Sequence, residues 1–529
     1  MLGRRALFLL TTMARLTSFA RATALLGLGR VVAAQNSTAW PWQTYRSEPS
    51  LQPPSLKITQ TGEIADGHLF FDQSGNGAHN YSVFIMSNEN ELIWEGAYGD
   101  ISAYRAQYLD GEPVLTYMTG ITFPEPFGWG YGAIFIFDQT YKNIINVTLP
   151  QNRDDLNLQT FGGWDSSGLA NGSWIDMHED LITPEGTMFI PAINVTQTDL
   201  TSVGGPVDGW IADSFFFEVD VKTSDILFQW NHLDHLDEIP LADSAEVYPL
   251  GDMGFNSSEP WGPFHINSIE RFADGGFLIS SRHYCSIFKI AKDGSVEWTL
   301  NGRTGGSFAL KNGLSFCYQH DARIHAEGNG TTLISLFNND NSAVESGVNE
   351  TSGILLTVNT ATWEATLTQE FIDKDDTIFA VSQGNVQVLN DGSGHVVMGY
   401  GSVPKIKEFN AEGECVFTAQ FGEDRVVQSY RNYRFPWVGK PYYAPKAFAC
   451  SAGNQTEVYM SWNGATENKR WTVFAGDAED SLVEKVGVDK TGFETKATFA
   501  GSAQFVRVES DGEGIETGVS EVVAVESQC

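Results

Sequence analysis

Between Trp261 and Leu300 the chain alternates short apolar runs with tight polar turns, reading WGPFHINSIERFADGGFLISSRHYCSIFKIAKDGSVEWTL. This pattern predicts four strands: His265 to Phe272, Phe277 to Arg282, Ser286 to Ala291 and Val296 to Leu300. Ile, Phe and Val recur in them with a partial period of two, the signature of strands. Between them stand Asp274-Gly275-Gly276, Arg282-His283-Tyr284 and Lys292-Asp293-Gly294. Asp-Gly and Gly-Gly steps supply the positive φ that tight hairpins require. A four-stranded antiparallel meander of about 40 residues is the size of one β-propeller blade.

The last hairpin of this unit recurs along the chain. It reads YSVFIMSNENELIW up to Trp94, AIFIFDQTYKNIINV from Ala133 and SFFFEVDVKTSDILFQW from Ser214. It reads SIFKIAKDGSVEW from Ser286, GILLTVNTATWEATL from Gly353 and KIKEFNAEGECVF from Lys405. One small sheet cannot bury both faces alone and must stack on its neighbours. The six copies therefore predict an all-β chain whose main body is a six-bladed β-propeller; the competing architecture is an ordinary β-sandwich with repeated hairpins. Past Tyr430 comes RNYRFPWVGKPYYAPKA, a basic, aromatic linker packed on the propeller. Short strand patterns then return (EVYMSWNG, KRWTVFAG, FETKATFAG, AQFVRVES) and predict a small C-terminal β-sandwich. The expected organisation is a signal peptide over 1–34, a loop-like N-terminal extension over 35–66, a propeller with its linker over 67–450, and a sandwich over 451–529.

Charge narrows the partners. Thirty-two Lys+Arg stand against 66 Asp+Glu, a net charge of −34. So acidic a surface argues against nucleic acid or an anionic membrane surface as partner. The N-terminus begins with Arg4 and Arg5, continues with apolar runs interrupted by Arg15, Arg21 and Arg30, and reaches small residues at Ala33 and Ala34, as a cleavable secretory signal does. No charge-free run is long enough to span a membrane. N-x-S/T sequons at Asn36, Asn80, Asn146, Asn171, Asn194, Asn256, Asn329, Asn349 and Asn454 point to a glycoprotein of a eukaryotic secretory pathway. Five cysteines (Cys285, Cys317, Cys415, Cys450, Cys529) without a CxxC pair predict one or two disulfides plus a leftover thiol, with no metal site and no cofactor.

Candidate chemistry lies where the first strands of the blades converge. Aligned on their first hairpin turns, the blades place Met177-His178-Glu179-Asp180, Phe264-His265-Ile266-Asn267, Gln319-His320-Asp321-Ala322-Arg323 and Gln383-Gly384-Asn385 at equivalent positions. A second set follows the second strands: Arg282 and His283, Asn338 to Asn341, and Tyr400. Arg offers a planar fork of donors for an oxyanion, and imidazole serves as base or nucleophile near neutral pH. The same residues have a plainer reading: Asp321 beside Arg323 makes an inter-blade salt bridge. His68, His79, His232, His235 and His325 read as turn or surface residues.

The motifs FHINS, ISSRH, QHDAR followed by ISLFNND, and SYRNYRFPW resemble the fungal arylsulfotransferase-like family, of which bacterial arylsulfate sulfotransferases are distant relatives. The resemblance covers about residues 60–470. It implies a six-bladed propeller that moves a sulfuryl group between small phenolic compounds through a sulfated histidine, without a nucleotide donor. It implies catalytic roles for His265, His320 and Arg282, with His395 as the positional candidate for the nucleophile. The aligned inner-strand positions and the set after the second strands add expected substrate contacts from Asn267, His283, Arg323, Asn338, His178 and Tyr400. The arginine after the bacterial Gln-His motif has no clear equivalent, because Asn338 to Asn341 fill that region. Two alternatives stay open: a cofactor-free hetero-Diels–Alder cyclase of tropolone sesquiterpenoid assembly, as some secreted fungal relatives are, and a non-catalytic binding propeller. The oligomeric state is not legible.

Overall fold

The computed structural model describes residues 40–123, 128–150, 158–159, 172–248, 253–342, 350–512, 514 and 516–529. The expected signal peptide and the sequons at Asn36, Asn171 and Asn349 lie outside the described residues. Trp40 to Cys529 form one compact unit, nearly all β.

Six sheets, antiparallel except for one edge strand of the fifth, carry the six hairpins. In the fourth, the strands are Ile266–Arg271, Phe277–Ser281, Ser286–Ile290 and Val296–Asn301, paired in chain order. These agree with expectation to within a residue because the turns are chemically forced. Asp274 Oδ1 accepts the Gly276 N–H at 2.9 Å, Asp293 Oδ1 accepts the Ser295 N–H at 3.1 Å, and Gly275 and Gly294 hold φ of 90° and 94°. The second sheet is Ile101–Leu109, Glu112–Thr122, Gly130–Phe137 and Asn143–Val147. The third is Leu181–Ile182, Thr187–Thr198, Gly209–Asp220 and Ile226–Asn231.

The fifth sheet runs His320–Gly328, Thr331–Asn338, Ser352–Asn359 and Glu364–Phe371, with Ala309–Lys311 added in parallel at its outer edge. The sixth runs Asn385–Val388, Val396–Gly399, Lys405–Phe409 and Cys415–Gln420.

The chain ends differ from expectation. Lys57–Gln60, inside the segment read as a loop-like extension, is a strand on the outer edge of the sixth sheet, Lys57 facing Gln420. Tyr433–Phe435, inside the segment read as a linker, is the first strand of the first sheet, followed there by His68–Gln73, Ser82–Met86 and Leu92–Glu95. Neither segment alternates clearly, and only a partner strand distant in sequence makes it β. Contacts run from each sheet to the next, and Val396–Gly399 of the sixth touches Tyr433–Phe435 of the first.

Six apolar clusters fill the spaces between neighbouring sheets. Phe189, Phe216 and Trp230 of the third pack with Ile266, Ile269 and Phe277 of the fourth, for example. Each sheet is thus covered on both faces, which is why strands such as Ser82–Met86 and Lys405–Phe409 are buried throughout and alternate weakly. His232, read as a surface residue, is fully buried: it stacks on Phe264 and reaches the Ile239 carbonyl at 3.0 Å.

The first strands meet in a charged network that is buried except for Arg323, whose side chain is 12% exposed. Glu179 is paired with Arg105, with Arg323 Nη2 at 2.7 Å and with Arg431 Nη1 at 3.4 Å. Arg105 Nε donates to Asp180 at 2.8 Å, and Arg323 Nε to Asp321 at 2.8 Å. Arg431 Nη2 donates to the Asn267 carbonyl at 2.6 Å, and Asp321 Oδ2 accepts the Val386 N–H at 3.2 Å. The network draws a residue from, or just ahead of, the first strand of every sheet. Burial alone would raise the Glu179 pKa, but Arg323, Arg105 and Arg431 outweigh it and hold the carboxyl well below the usual range. Arg323, expected to contact substrate, is committed to this network.

After Phe435 come two further sheets. One is Lys446–Ala452, Gln455–Ser461 and Glu494–Ala500; the other pairs Val483–Asp489, Asn468–Gly476 and Phe505–Gly512. Trp471, Val458, Met460 and Val508 form their shared core. The first strand here starts at Lys446, slightly ahead of the expected boundary at 451. Disulfides join Cys285 to Cys317 and Cys450 to Cys529, leaving Cys415 as a half-buried free thiol.

Candidate active site

A cavity of about 510 Å³ opens where the chain enters the first strands, and His178, His265, His320 and Arg282 all line it. The entry backbone is irregular. His265, Asp321 and Gln383 adopt φ of 61°, 56° and 65°, and the pairing slips between Ile266 and Ser268 and between His320 and Arg323. Left-handed residues and bulges at strand ends re-aim side chains and collect at functional sites. They turn the histidines towards the cavity while the residues that follow enter the charged network.

Each imidazole has a defined role. Asn339 Nδ2 donates to the carbonyls of Ala380 (3.1 Å) and Gln383 (3.0 Å), so its Oδ1 accepts the Nδ1–H of His320 at 2.7 Å. His320 Nε2 then carries the lone pair and accepts the Gln383 N–H at 3.2 Å. Burial first, and the Arg282 charge second, push the His320 pKa well below its ordinary value. His283 donates from Nδ1 to the Gly262 carbonyl at 2.7 Å and accepts Arg282 Nη1 on Nε2 at 2.7 Å. Burial and the Arg282 charge bring its pKa down to about 3. Arg282 also donates from Nη2 to the Val381 carbonyl at 2.9 Å and lies over the Tyr318 ring.

A second chain of bonds runs Asp176–His178–His265. Asp176 Oδ1 accepts the Gly130 N–H at 3.0 Å, and Oδ2 takes the Nδ1–H of His178. His178 Nε2 lies 3.1 Å from His265 Nε2. With Nδ1 of His178 given to Asp176, one proton bridges the two Nε2 atoms. Burial, reinforced by His283, His178 and Arg282, holds His265 neutral, and the ring lies between those of Trp129 (5.0 Å) and His283 (4.6 Å).

Asp72 and Tyr430 were not singled out from sequence, and both line the cavity. Both hydrogen bonds that Asp72 accepts from neighbouring residues fall on Oδ1, from Ser429 Oγ at 2.9 Å and the Tyr430 N–H at 3.2 Å. Burial raises this carboxyl to about 7. Asp176 stands two residues before His178, a spacing that sequence could have flagged. Asp72 stands in an apolar strand with no local mark, and only chain closure brings Tyr430 opposite it.

The other expected residues are elsewhere. Asn267 donates from Nδ2 to the Gln319 carbonyl at 2.7 Å, beneath the histidines. Asn338 Oδ1 accepts the Cys317 N–H at 3.0 Å. Tyr400 is buried against Phe337. His395 lies beyond the far end of Asn385–Val388, its Nδ1 2.7 Å from Glu408 Oε1, and does not join the cavity. Among the described residues, one trio has donor atoms close enough to hold a metal ion, Cys450, Glu457 and Cys529, and its two sulfurs are joined in a disulfide.

The Arg282 guanidinium can bind an oxyanion, the bare Nε2 of His320 can act on it as a nucleophile, and a carboxyl poised near neutrality can exchange a proton beside them. A sequence model described as Arylsulfotransferase (ASST) matches residues 105–422, more than half of the chain. The chain belongs to the arylsulfotransferase (ASST) family. That match spans the histidine and Arg282 positions, whereas Asp72 and Tyr430 fall on either side of it. No curated protein matches the chain. Similar solved structures include the GH43 protein BlXynB from Bacillus licheniformis (10% identity, 82% of this chain and 90% of that chain, TM-score 0.31). They include virginiamycin B lyase from Staphylococcus aureus (11%, 76% and 94%, 0.24). They also include an alpha-L-arabinanase of Penicillium chrysogenum complexed with arabinobiose (10%, 80% and 93%, 0.31). At that distance they say nothing about the chemistry of this chain. No helix among the described residues is long and apolar enough to cross a membrane.

Proposed function

We propose that this chain transfers a sulfuryl group from an aryl sulfate to a phenol through a sulfated His320, at the mouth of a six-bladed β-propeller followed by a small β-sandwich. The observation that carries the reading is the state of His320. Its Nδ1–H is tied to Asn339, and burial and the Arg282 charge keep the ring neutral, so a lone pair stands on Nε2 inside the Arg282-bearing cavity. A sulfated His395 is not favoured, because that ring lies outside the cavity.

The donor displaces the Gln383 N–H from Nε2. Nε2 attacks sulfur as the bond to the aryl oxygen breaks, and Asp72, protonated below about 7, gives its proton to the departing phenolate. The Arg282 fork holds the sulfuryl oxygens as charge shifts onto them. The acceptor phenol then returns its proton to Asp72 as its oxygen takes the sulfuryl group, and His320 is restored. Mass spectrometry of a quenched reaction with 4-nitrophenyl sulfate tests the reading: wild type should carry one sulfuryl group on His320, and His320→Ala none. Arg282→Met should keep the label while slowing turnover by roughly 10² to 10³. A label that persists in His320→Ala would overturn the assignment.

The same proposal places the chain in the eukaryotic secretory pathway. The N-terminal segment reads as a signal, two disulfides are present, and the sequons at Asn146, Asn256, Asn329 and Asn454 are exposed. Asn80 and Asn194 are half-buried: Asn80 Nδ2 donates to Tyr98 Oη at 3.3 Å, and Asn194 Oδ1 accepts the Gln159 N–H at 2.8 Å.

A further inference from the structure

The catalytic cavity has a larger neighbour. A second cavity of about 760 Å³ lies between the loops around Ile378, Val403 and Val426, and Gly75, Asn76, Ser382 and Gln428 line both. The four shared lining residues set the two cavities side by side. The second has its own chemistry. Phe379 is 41% exposed and Val426 38%, beside buried Ile378 and Val403, so an apolar patch with an accessible aromatic face stands in a cleft of an otherwise acidic protein. Such a patch in a concave site marks a ligand surface.

The charges in this cleft are arranged. Lys405 is engaged by Asp376 at 2.9 Å and Asp424 at 4.0 Å, and Lys407, behind it, by Asp373 at 2.6 Å. Arg425 is exposed on the rim at φ 69°, an uncommon conformation for a residue with a Cβ. Its guanidinium suits a planar anionic group.

We propose that this second cavity is a subsite for an extended phenolic substrate, one whose apolar aryl extension packs on Phe379 and Val426 and whose distal carboxylate meets Arg425. The inference rests on the sulfuryl-transfer reading for which end of the substrate enters the first cavity, but not for the existence of the subsite. Nothing in the first cavity calls for an apolar platform outside it, and a bare phenol would leave Phe379 untouched.

Titration calorimetry on the full chain tests this with no donor present, using phenol, 4-hydroxybiphenyl and 4′-hydroxybiphenyl-4-carboxylate. Both biphenyls should bind more tightly than phenol. Phe379→Ser should raise the Kd of the biphenyls about 10-fold more than that of phenol, the factor expected from losing one ring contact, and Phe379→Leu should recover much of the difference. Arg425→Gln should remove the advantage of the carboxylate over its parent and leave the parent biphenyl's advantage over phenol. No preference for the biphenyls, or a preference indifferent to Phe379, overturns the subsite. If the Phe379-dependent preference holds while no aryl sulfate labels the protein, the transfer reading fails and the subsite stands.

Discussion

Replacing Glu179 with Gln should damage both the fold and the site, because Glu179 joins them. One residue before it, His178 faces the cavity; the Glu179 carboxylate itself balances Arg105, Arg323 and Arg431, and all four side chains are nearly or wholly inaccessible. Gln keeps the shape and removes the charge. Three guanidiniums then share Asp180 and Asp321, and burial already pushes the Asp180 pKa up, opposing its ionisation. Breaking a buried pair by removing one partner costs about 3–5 kcal/mol, since the remaining charge stays desolvated. The loss should reach the upper half of that range, as three partners are affected rather than one. Equilibrium denaturation in guanidinium chloride, read by tryptophan fluorescence, measures it. Adding Arg105→Met to Glu179→Gln should recover more than about 1 kcal/mol, because it removes an excess charge, whereas independent effects would add. A Glu179→Gln loss under about 1 kcal/mol, or a double variant no better than the single, would refute the claim that Glu179 stabilises the fold by balancing this charge. Turnover should fall as well, since Arg431 ties Glu179 to the Asn267 carbonyl two residues past His265.

Asp72→Asn should flatten the rise of acceptor sulfation with pH around 7, because the acceptor half-reaction needs the carboxylate. Asp72 also has a folded pKa above its unfolded value, so the stability it contributes is full at low pH and is lost as pH rises through about 7; the Asn variant should be more stable than wild type at pH 8, by up to about 4 kcal/mol. His283 is the opposite case. Its folded pKa, about 3, lies below its unfolded value, so its contribution is present above about 6.5 and is lost as pH falls towards 3; denaturation midpoints at pH 7 and pH 4 should differ less in His283→Gln than in wild type, and an equal drop would contradict the burial argument. Expressed in a eukaryotic host, the protein should carry N-glycans at Asn146, Asn256, Asn329 and Asn454; peptide mapping that finds them unmodified would remove the support for secretion.

The hairpins were legible because their information is local. Apolar runs broken by Asp-Gly and Gly-Gly specify strand, turn and register within about 15 residues, and each of the six repeated hairpins forms the third and fourth strands of one sheet. The histidines at 178, 265 and 320 stood out because they fall at equivalent positions of a repeat, and all three line one cavity. What lies at the ends of the chain was not legible. Lys57–Gln60 and Tyr433–Phe435 have no pattern of their own, and they become strands only when sheets made by the intervening residues offer an open edge.

The same division runs through the chemistry. Residue type and spacing along the chain put His265, His320 and Arg282 in one candidate set, and all three line one cavity. Sequence could not separate Arg282, which lines that cavity, from Arg323, which balances Glu179 in the core, nor set His320 apart from His395. Those distinctions depend on which partner lies within about 3 Å and on how much water is left, and both are set by the folded chain, whether the partner is 13 residues away, as Glu408 is from His395, or 144, as Glu179 is from Arg323. The amino-acid order by itself determined the strands, their turns and the kinds of group available; only the closed tertiary structure decided which of those groups are buried, neutral and aimed at the same space.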